Sequence, residues 1–157
     1  MSEGMGSTTI RVISGHKQDG TPVYESLLVE RTPEGTYRLL RSPGLVLGVA
    51  RDDVVRFDRS RERVEVVRRG GVVAFQVHGP HAVADTLVDQ VAQLGGALDG
   101  RAPQLTIFSI PVTAGFAAIE GLANGLTQRH PEVEWFYGNV YDEDGETPLN
   151  WWVPEQE

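Results

Sequence analysis

The stretch Val72-Val73-Ala74-Phe75-Gln76-Val77-His78-Gly79-Pro80-His81-Ala82-Val83-Ala84-Asp85-Thr86-Leu87-Val88 decides the fold, because the hydrophobic period changes within it. Residues 72–78 form an apolar run of strand length. From His81 onward Val83, Ala84, Leu87, Val88, Val91 and Leu94 recur at three- and four-residue spacing, one face of an amphipathic helix, and Gly95-Gly96 stops it.

Downstream, residues 104–110 are a near-continuous apolar run of the kind found in buried strands. Thr113 is expected to cap a second helix reaching Leu126, with Phe116, Ala117, Ile119, Leu122, Ala123 and Leu126 as its inward stripe and His130-Pro131 as its end. Gly115, Gly121 and Gly125 inside that helix read as places where helix and sheet approach closely, since each is otherwise unfavourable relative to Ala. Residues 133–140 close as an aromatic-rich strand, 142–145 form a turn, and the tail holds Trp151 and Trp152. The pattern is β-α-β-α-β, with two helices on one face of a mostly antiparallel sheet, as in ferredoxin-like folds.

Upstream, alternation rules. Residues 9–13 and 23–31 are strands separated by the turn Asp19-Gly20-Thr21-Pro22, with Val23, Leu27 and Val29 on one face and Glu25 and Glu30 needing solvent or a partner. Pro33-Glu34-Gly35 turns the chain into residues 36–40. Ser42-Pro43-Gly44 breaks the pattern, and the apolar residues 45–50 form a Gly-containing corner that leads into residues 51–57. Residues 62–68 are expected to pair with 72–78 through an Arg69-Gly70-Gly71 hairpin. The fold class is α+β: a β-rich, barrel-like half (residues 9–70) after a flexible N-terminus (1–8), a ferredoxin-like half (71–141), and an acidic turn with a Trp-containing tail (142–157).

The order of these features resembles a small bacterial family, the domain of unknown function 4265. The residues that carry the resemblance are Pro22-Val23-Tyr24-Glu25-Ser26-Leu27-Leu28-Val29, Gly35-Thr36-Tyr37-Arg38-Leu39, Ser42-Pro43, Leu47-Gly48-Val49-Ala50 and Asp53-Val54-Val55. Together they give an acidic residue in an aliphatic strand, a Gly-x-Tyr hairpin, a Pro-ended turn, a Gly-x-Ala corner and Asp-Val-Val. The resemblance implies the architecture over residues 22–140 and carries no catalytic residue.

Composition bounds the function classes. A chain of 157 residues supports one domain or two tightly joined halves, and 22 Asp and Glu against 14 Lys and Arg leave a net charge of −8. That balance repels phosphate backbones and anionic lipid, so neither nucleic acid nor a membrane is the expected partner. The chain has no Cys, hence no disulfide, thiolate nucleophile or Cys-ligated metal. Thirteen of the 14 basic residues are Arg, the codon bias of a GC-rich bacterial genome. A cytoplasmic setting is expected, because the N-terminus lacks the apolar core of a signal peptide and no run reaches membrane-span length.

No assembled catalytic motif is visible: no Gly-x-Ser-x-Gly elbow, no Walker or Gly-x-Gly-x-x-Gly loop. His78 and His81 are imidazoles of Zn²⁺-ligand type, but no third ligand lies nearby, so loop and capping roles are expected and no metal or other cofactor is assigned. Asp52, Asp53, Glu25 and Glu30 are carboxylates with nothing in the sequence to bring them together, and Asp53 is expected to accept backbone hydrogen bonds at the corner. The run Asp142-Glu143-Asp144-Gly145-Glu146 lacks the later Glu of a calcium loop and reads as a solvated acidic hairpin. The densest aromatic cluster is Trp135, Phe136, Tyr137, Tyr141, Trp151 and Trp152, and aromatics beside acidic residues suit a basic protein surface. Trp135, Tyr137, Tyr141, Asp142, Asp144, Trp151 and Trp152 are therefore the candidate partner-binding residues. The tail is expected to dock on the body or on a second copy in a homodimer. The expected function is a non-catalytic binding or regulatory module, such as an acidic immunity protein that neutralises a basic toxin. Its rival is a small-molecule binder or enzyme using the groove between the two halves, where His78 and His81 would serve.

Overall fold

The computed structural model describes residues 6–154 and contains two antiparallel sheets. Strands β1 (Ser7–His16), β2 (Pro22–Arg31), β3 (Tyr37–Leu39), β4 (Val54–Asp58) and β5 (Arg63–Arg68) form a meander in sequence order. Alternation works as the sequence predicts: Leu27, Val29, Tyr37, Leu39 and Val55 point into one core with Ile10 and Val12. The meander does not close. Among the described residues its edges meet through one backbone bond, Ile13 N–H to the Glu62 carbonyl at 2.8 Å, with no ladder between β1 and β5. Ser7 and Thr8, expected in a flexible N-terminus, already pair with Glu30 and Val29, and the remaining N-terminal residues 1–5 lie outside the described residues.

The second sheet comprises β6 (Val72–His78), β7 (Ala97–Ala102), β8 (Leu105–Pro111) and β9 (Glu134–Tyr137) in the order β7-β8-β6-β9. Between β6 and β7 run α1 (His81–Ala84), a 3-10 turn (Asp85–Leu87) and α2 (Val88–Gln93), and α3 (Phe116–Arg129) joins β8 to β9. The helical stripes bury Leu87, Val91, Ile119, Leu122 and Leu126 against Val73, Phe75, Val77, Phe108 and Ile110.

Several expectations are corrected. Residues 63–68 do not pair with 72–78: β5 pairs with β4, and β6 lies between β8 and β9. Gly70-Gly71 is instead the crossing from one sheet to the other, because Asp53 draws the Gly70 N–H back toward the first half at 2.9 Å. The helix over residues 81–94 is interrupted by its 3-10 turn, and residues 97–102 form a strand that pairs with β8 despite lacking alternation. Thr113 lies in a 3-10 turn, and Gly115, at φ +90°, precedes α3. Ala117, expected on the inward stripe, is exposed; a Cβ at Gly115 or Gly121 would meet nothing within 4 Å and one at Gly125 only the Arg129 side chain at 3.4 Å, so none of the three glycines marks a close approach to the sheet.

Helices cover one face of the second sheet, and the loop between β3 and β4 covers the other. A Cβ on Gly44 in that loop would sit 3.0 Å from Ile107 Cδ1 and 3.3 Å from Leu105 Cδ2. Three carboxylates hold the loop. Glu25 accepts the N–H groups of Gly44, Leu45 and Val46 at 2.9, 3.0 and 2.8 Å. Asp99, its side chain 2% exposed, accepts Ser42 N–H at 2.7 Å and pairs with Arg51 at 2.9 Å. Asp53 accepts Ala50 N–H at 3.0 Å and pairs with Arg69 at 3.2 Å. Burial pushes the Asp53 carboxyl above its ordinary range, against the opposing pull of these donors. The residues that carry the sequence resemblance, Glu25, Ser42, Gly48, Ala50 and Asp53, are thus largely builders of the bridge between the two halves.

Candidate functional site

The aromatic segment is split by strand geometry. In β9, Trp135 and Tyr137 point to the helical side while Phe136 points the other way and is 49% exposed. Trp135 packs on Phe75 with ring centroids 5.6 Å apart and on Tyr137 at 5.1 Å. Phe116 of α3 then meets Tyr137 at 5.7 Å and Trp152 at 5.0 Å, both edge to face, and Trp151 meets Trp152 at 5.3 Å. The tail docks on its own chain: Trp151 Nε1–H donates to the Asn139 carbonyl at 2.8 Å, and Arg69 lies 5.5 Å from its ring centroid. Trp135, Tyr137, Trp151 and Trp152, expected at a partner surface, are half-buried extensions of the core.

What remains exposed lies along the outer margin of β9. Phe136, Tyr141 at 40% exposure and Leu47 at 64%, the last carried in by the bridging loop, line a groove of about 660 Å³ with Tyr137, Glu120, Asp142 and Glu143. Gly48 N–H donates to the Gly138 carbonyl at 2.8 Å, which fixes the loop beside the strand. Tyr137 donates its hydroxyl to Glu120 at 2.8 Å; burial first, and then that carboxylate, push the phenol far above its ordinary pKa. The acidic turn is a hairpin: Asp142 N–H donates to the Thr147 carbonyl at 2.8 Å, and Asp144 accepts the N–H groups of Glu146 and Thr147, each at 2.8 Å. The Thr147 hydroxyl, then these amides, hold the Asp144 carboxyl below its usual range.

His78 and His81 do not converge. His78 contacts Gln76 Oε1 at 3.4 Å and stands edge-on to Phe136 at 5.1 Å, whereas His81 reaches the Ala102 carbonyl at 2.7 Å. Among the described residues no group of three or more His, Asp or Glu side chains is placed to hold a metal ion. His78 lines the groove beside three carboxylates, but it hydrogen-bonds to none of them. Phe136, Leu47, Glu120 and Glu143 were not singled out by the sequence as partner-binding residues. Alternation alone placed Phe136 opposite Trp135 and Tyr137, whereas Leu47 and Glu120 come together only through the tertiary fold.

The profile of the family described as Domain of unknown function (DUF4265) matches residues 25–135, and the chain belongs to that family. A solved structure described as "Novel crystal structure of a hypothetical protein from Neisseria gonorrhoeae" is similar in fold, with a TM-score of 0.62 and 12% identity over 85% of this chain and 94% of that one. None of the curated proteins matches the chain.

Proposed function

We propose that the chain is a non-catalytic module that binds a protein partner with a basic surface, an immunity- or inhibitor-type protein being the form that fits best. The observation that carries this reading is the groove beside β9: its exposed side chains are apolar or aromatic, Glu120, Asp142 and Glu143 lie among them, and no Lys or Arg lines it. Such a surface combines apolar burial with charge complementarity. The split order of the second sheet supports reading residues 71–141 as a ferredoxin-like unit, and the meander supports a barrel-like first half. A bacterial cytoplasmic setting belongs to the same reading; no helix among the described residues is long and apolar enough to cross a membrane.

The test is capture from the native host with wild-type protein and with the Asp142→Lys/Glu143→Lys variant, at low and high salt. A basic protein retained by the wild type, released by salt and lost on charge reversal supports the reading. Equal retention by both proteins overturns it. One observation favours the rival: His78 sits in the same groove as three carboxylates, so a small molecule that protects the His78 and Phe136 resonances would favour a ligand pocket.

A further inference from the structure

The groove runs beside a strand edge, and the two sheet edges of the second half are treated differently. β7 carries a bulge between Leu98 and Gly100 and turns Asp99 inward, two devices that keep an edge from pairing with another strand. β9 has neither. Its register against β6, with Gly138 N–H donating to the Ala74 carbonyl at 2.8 Å, directs the peptide groups of Glu134 and Phe136 and the N–H of Gly138 toward β6 and the peptide groups of Trp135 and Tyr137 outward. The Asn139 carbonyl, next in that outward series, is taken by Trp151. No strand among the described residues pairs with this edge, and no bond to the outward groups of Trp135 and Tyr137 is formed there.

Charge selects the occupant. Residues 71–157 hold 12 of the 22 Asp and Glu but only Arg101 and Arg129 of the 14 basic residues, and Arg101 is paired with Asp85. A second copy pairing β9 to β9 would bring two halves of this acidic composition together, which like-charge repulsion opposes. Resting on the reading above, we infer that β9 accepts an extended, Arg- or Lys-bearing segment of the partner as an added strand. One alternate row of its side chains would lie over Phe136 and Leu47, the other along Tyr137, Tyr141 and Glu120. Main-chain bonds to Trp135 and Tyr137 supply affinity in this mode, and the flanking side chains supply specificity.

The experiment uses wild-type protein and the probe acetyl-(Arg-Val)₄-amide, followed by calorimetry and by amide exchange at Trp135 and Tyr137. Two N-methylated forms of the probe block one or the other alternate set of its peptide N–H groups. Strand addition predicts at least a tenfold loss of affinity for one form, less than twofold for the other, and slowed exchange at both amides. The Glu143→Gln variant is expected to weaken the parent probe severalfold. Equal affinity of both N-methylated forms overturns strand addition while leaving the basic-partner reading intact. Failure of the probe to bind, while charge-sensitive capture of a host protein persists, does the same. A probe-independent dimer with protected β9 amides also overturns it, in favour of self-association.

Discussion

Asp53 Oδ1 accepts the peptide N–H of Gly70 at 2.9 Å, and a Cβ on Gly70 would stand 2.5 Å from the backbone carbon of Asp52. The chain therefore leaves the first sheet for the second at a point held by one buried carboxylate, 1% exposed, and one residue without a side chain. Asp53→Ala leaves Ala50 N–H and Gly70 N–H without their acceptor and leaves Arg69 the Gly48 carbonyl but no carboxylate, and loss of about 3 kcal/mol or more is expected, as for breaking a buried ion pair. Gly70→Ala is expected to cost about 1–3 kcal/mol by overpacking. Chemical denaturation measures both, and a loss under about 0.5 kcal/mol for either, the level of an ordinary surface change, would contradict the junction described.

The same junction shows where the sequence ran out. Gly70-Gly71 between two alternating runs has the local signature of a hairpin, and only the distant Asp53 turns it into a crossing. β7 was hidden for a related reason. Ala97-Leu98-Asp99-Gly100-Arg101-Ala102 has no period of its own, and it is a strand because β8 pairs with it and Ser42 and Arg51 take its inward Asp99. Where one face alone decides burial, as in β2 and α3, period was sufficient for most positions. It also separates Phe136 from Trp135 and Tyr137, yet the groove needs Leu47 and Glu120 from sequence-distant elements, which no local pattern joins.

Tyr137 and Glu120 predict an alkaline effect. The folded phenol pKa lies above its unfolded value, so its contribution to stability is complete below about pH 10 and is lost as pH rises toward the folded value. The stability advantage of the wild type over Tyr137→Phe should therefore shrink above about pH 10. Glu120→Gln should let Tyr137 ionise at lower pH, read from the phenolate absorbance. A Tyr137 titration unmoved by Glu120→Gln would remove the Glu120 charge from the account.

Thr106 predicts a gain. It is fully buried on the helical side of β8, and its hydroxyl has no hydrogen-bond partner among the described residues. Thr106→Val keeps the branched shape and removes a desolvated polar group, so stabilisation of about 1 kcal/mol is expected. A raised denaturation midpoint with unchanged slope would show it; a loss of stability would mean the hydroxyl is satisfied.

Trp151 ties the tail to the end of the outward edge of β9. Its indole N–H donates to the Asn139 carbonyl, while the Asn139 side chain accepts Ala74 N–H and donates to the Val72 carbonyl, each bond at 2.8 Å. The tail thus continues the sheet's hydrogen bonding by side chains where β9 itself stops, and it leaves the edge open only at Trp135 and Tyr137. Trp151→Phe keeps most of the packing and loses one hydrogen bond, an expected cost of about 1 kcal/mol, whereas Trp151→Ala should cost about 3 kcal/mol. Removing residues 149–157 should lower the melting temperature by at least as much as Trp151→Ala. It should also uncover Phe116, against which Trp152 packs, and the apolar surface exposed in this way should make the truncated chain self-associate more than the wild type. Thermal unfolding and sedimentation check the two effects separately, and a truncation that moves neither would show that Trp151 does not hold the tail in place.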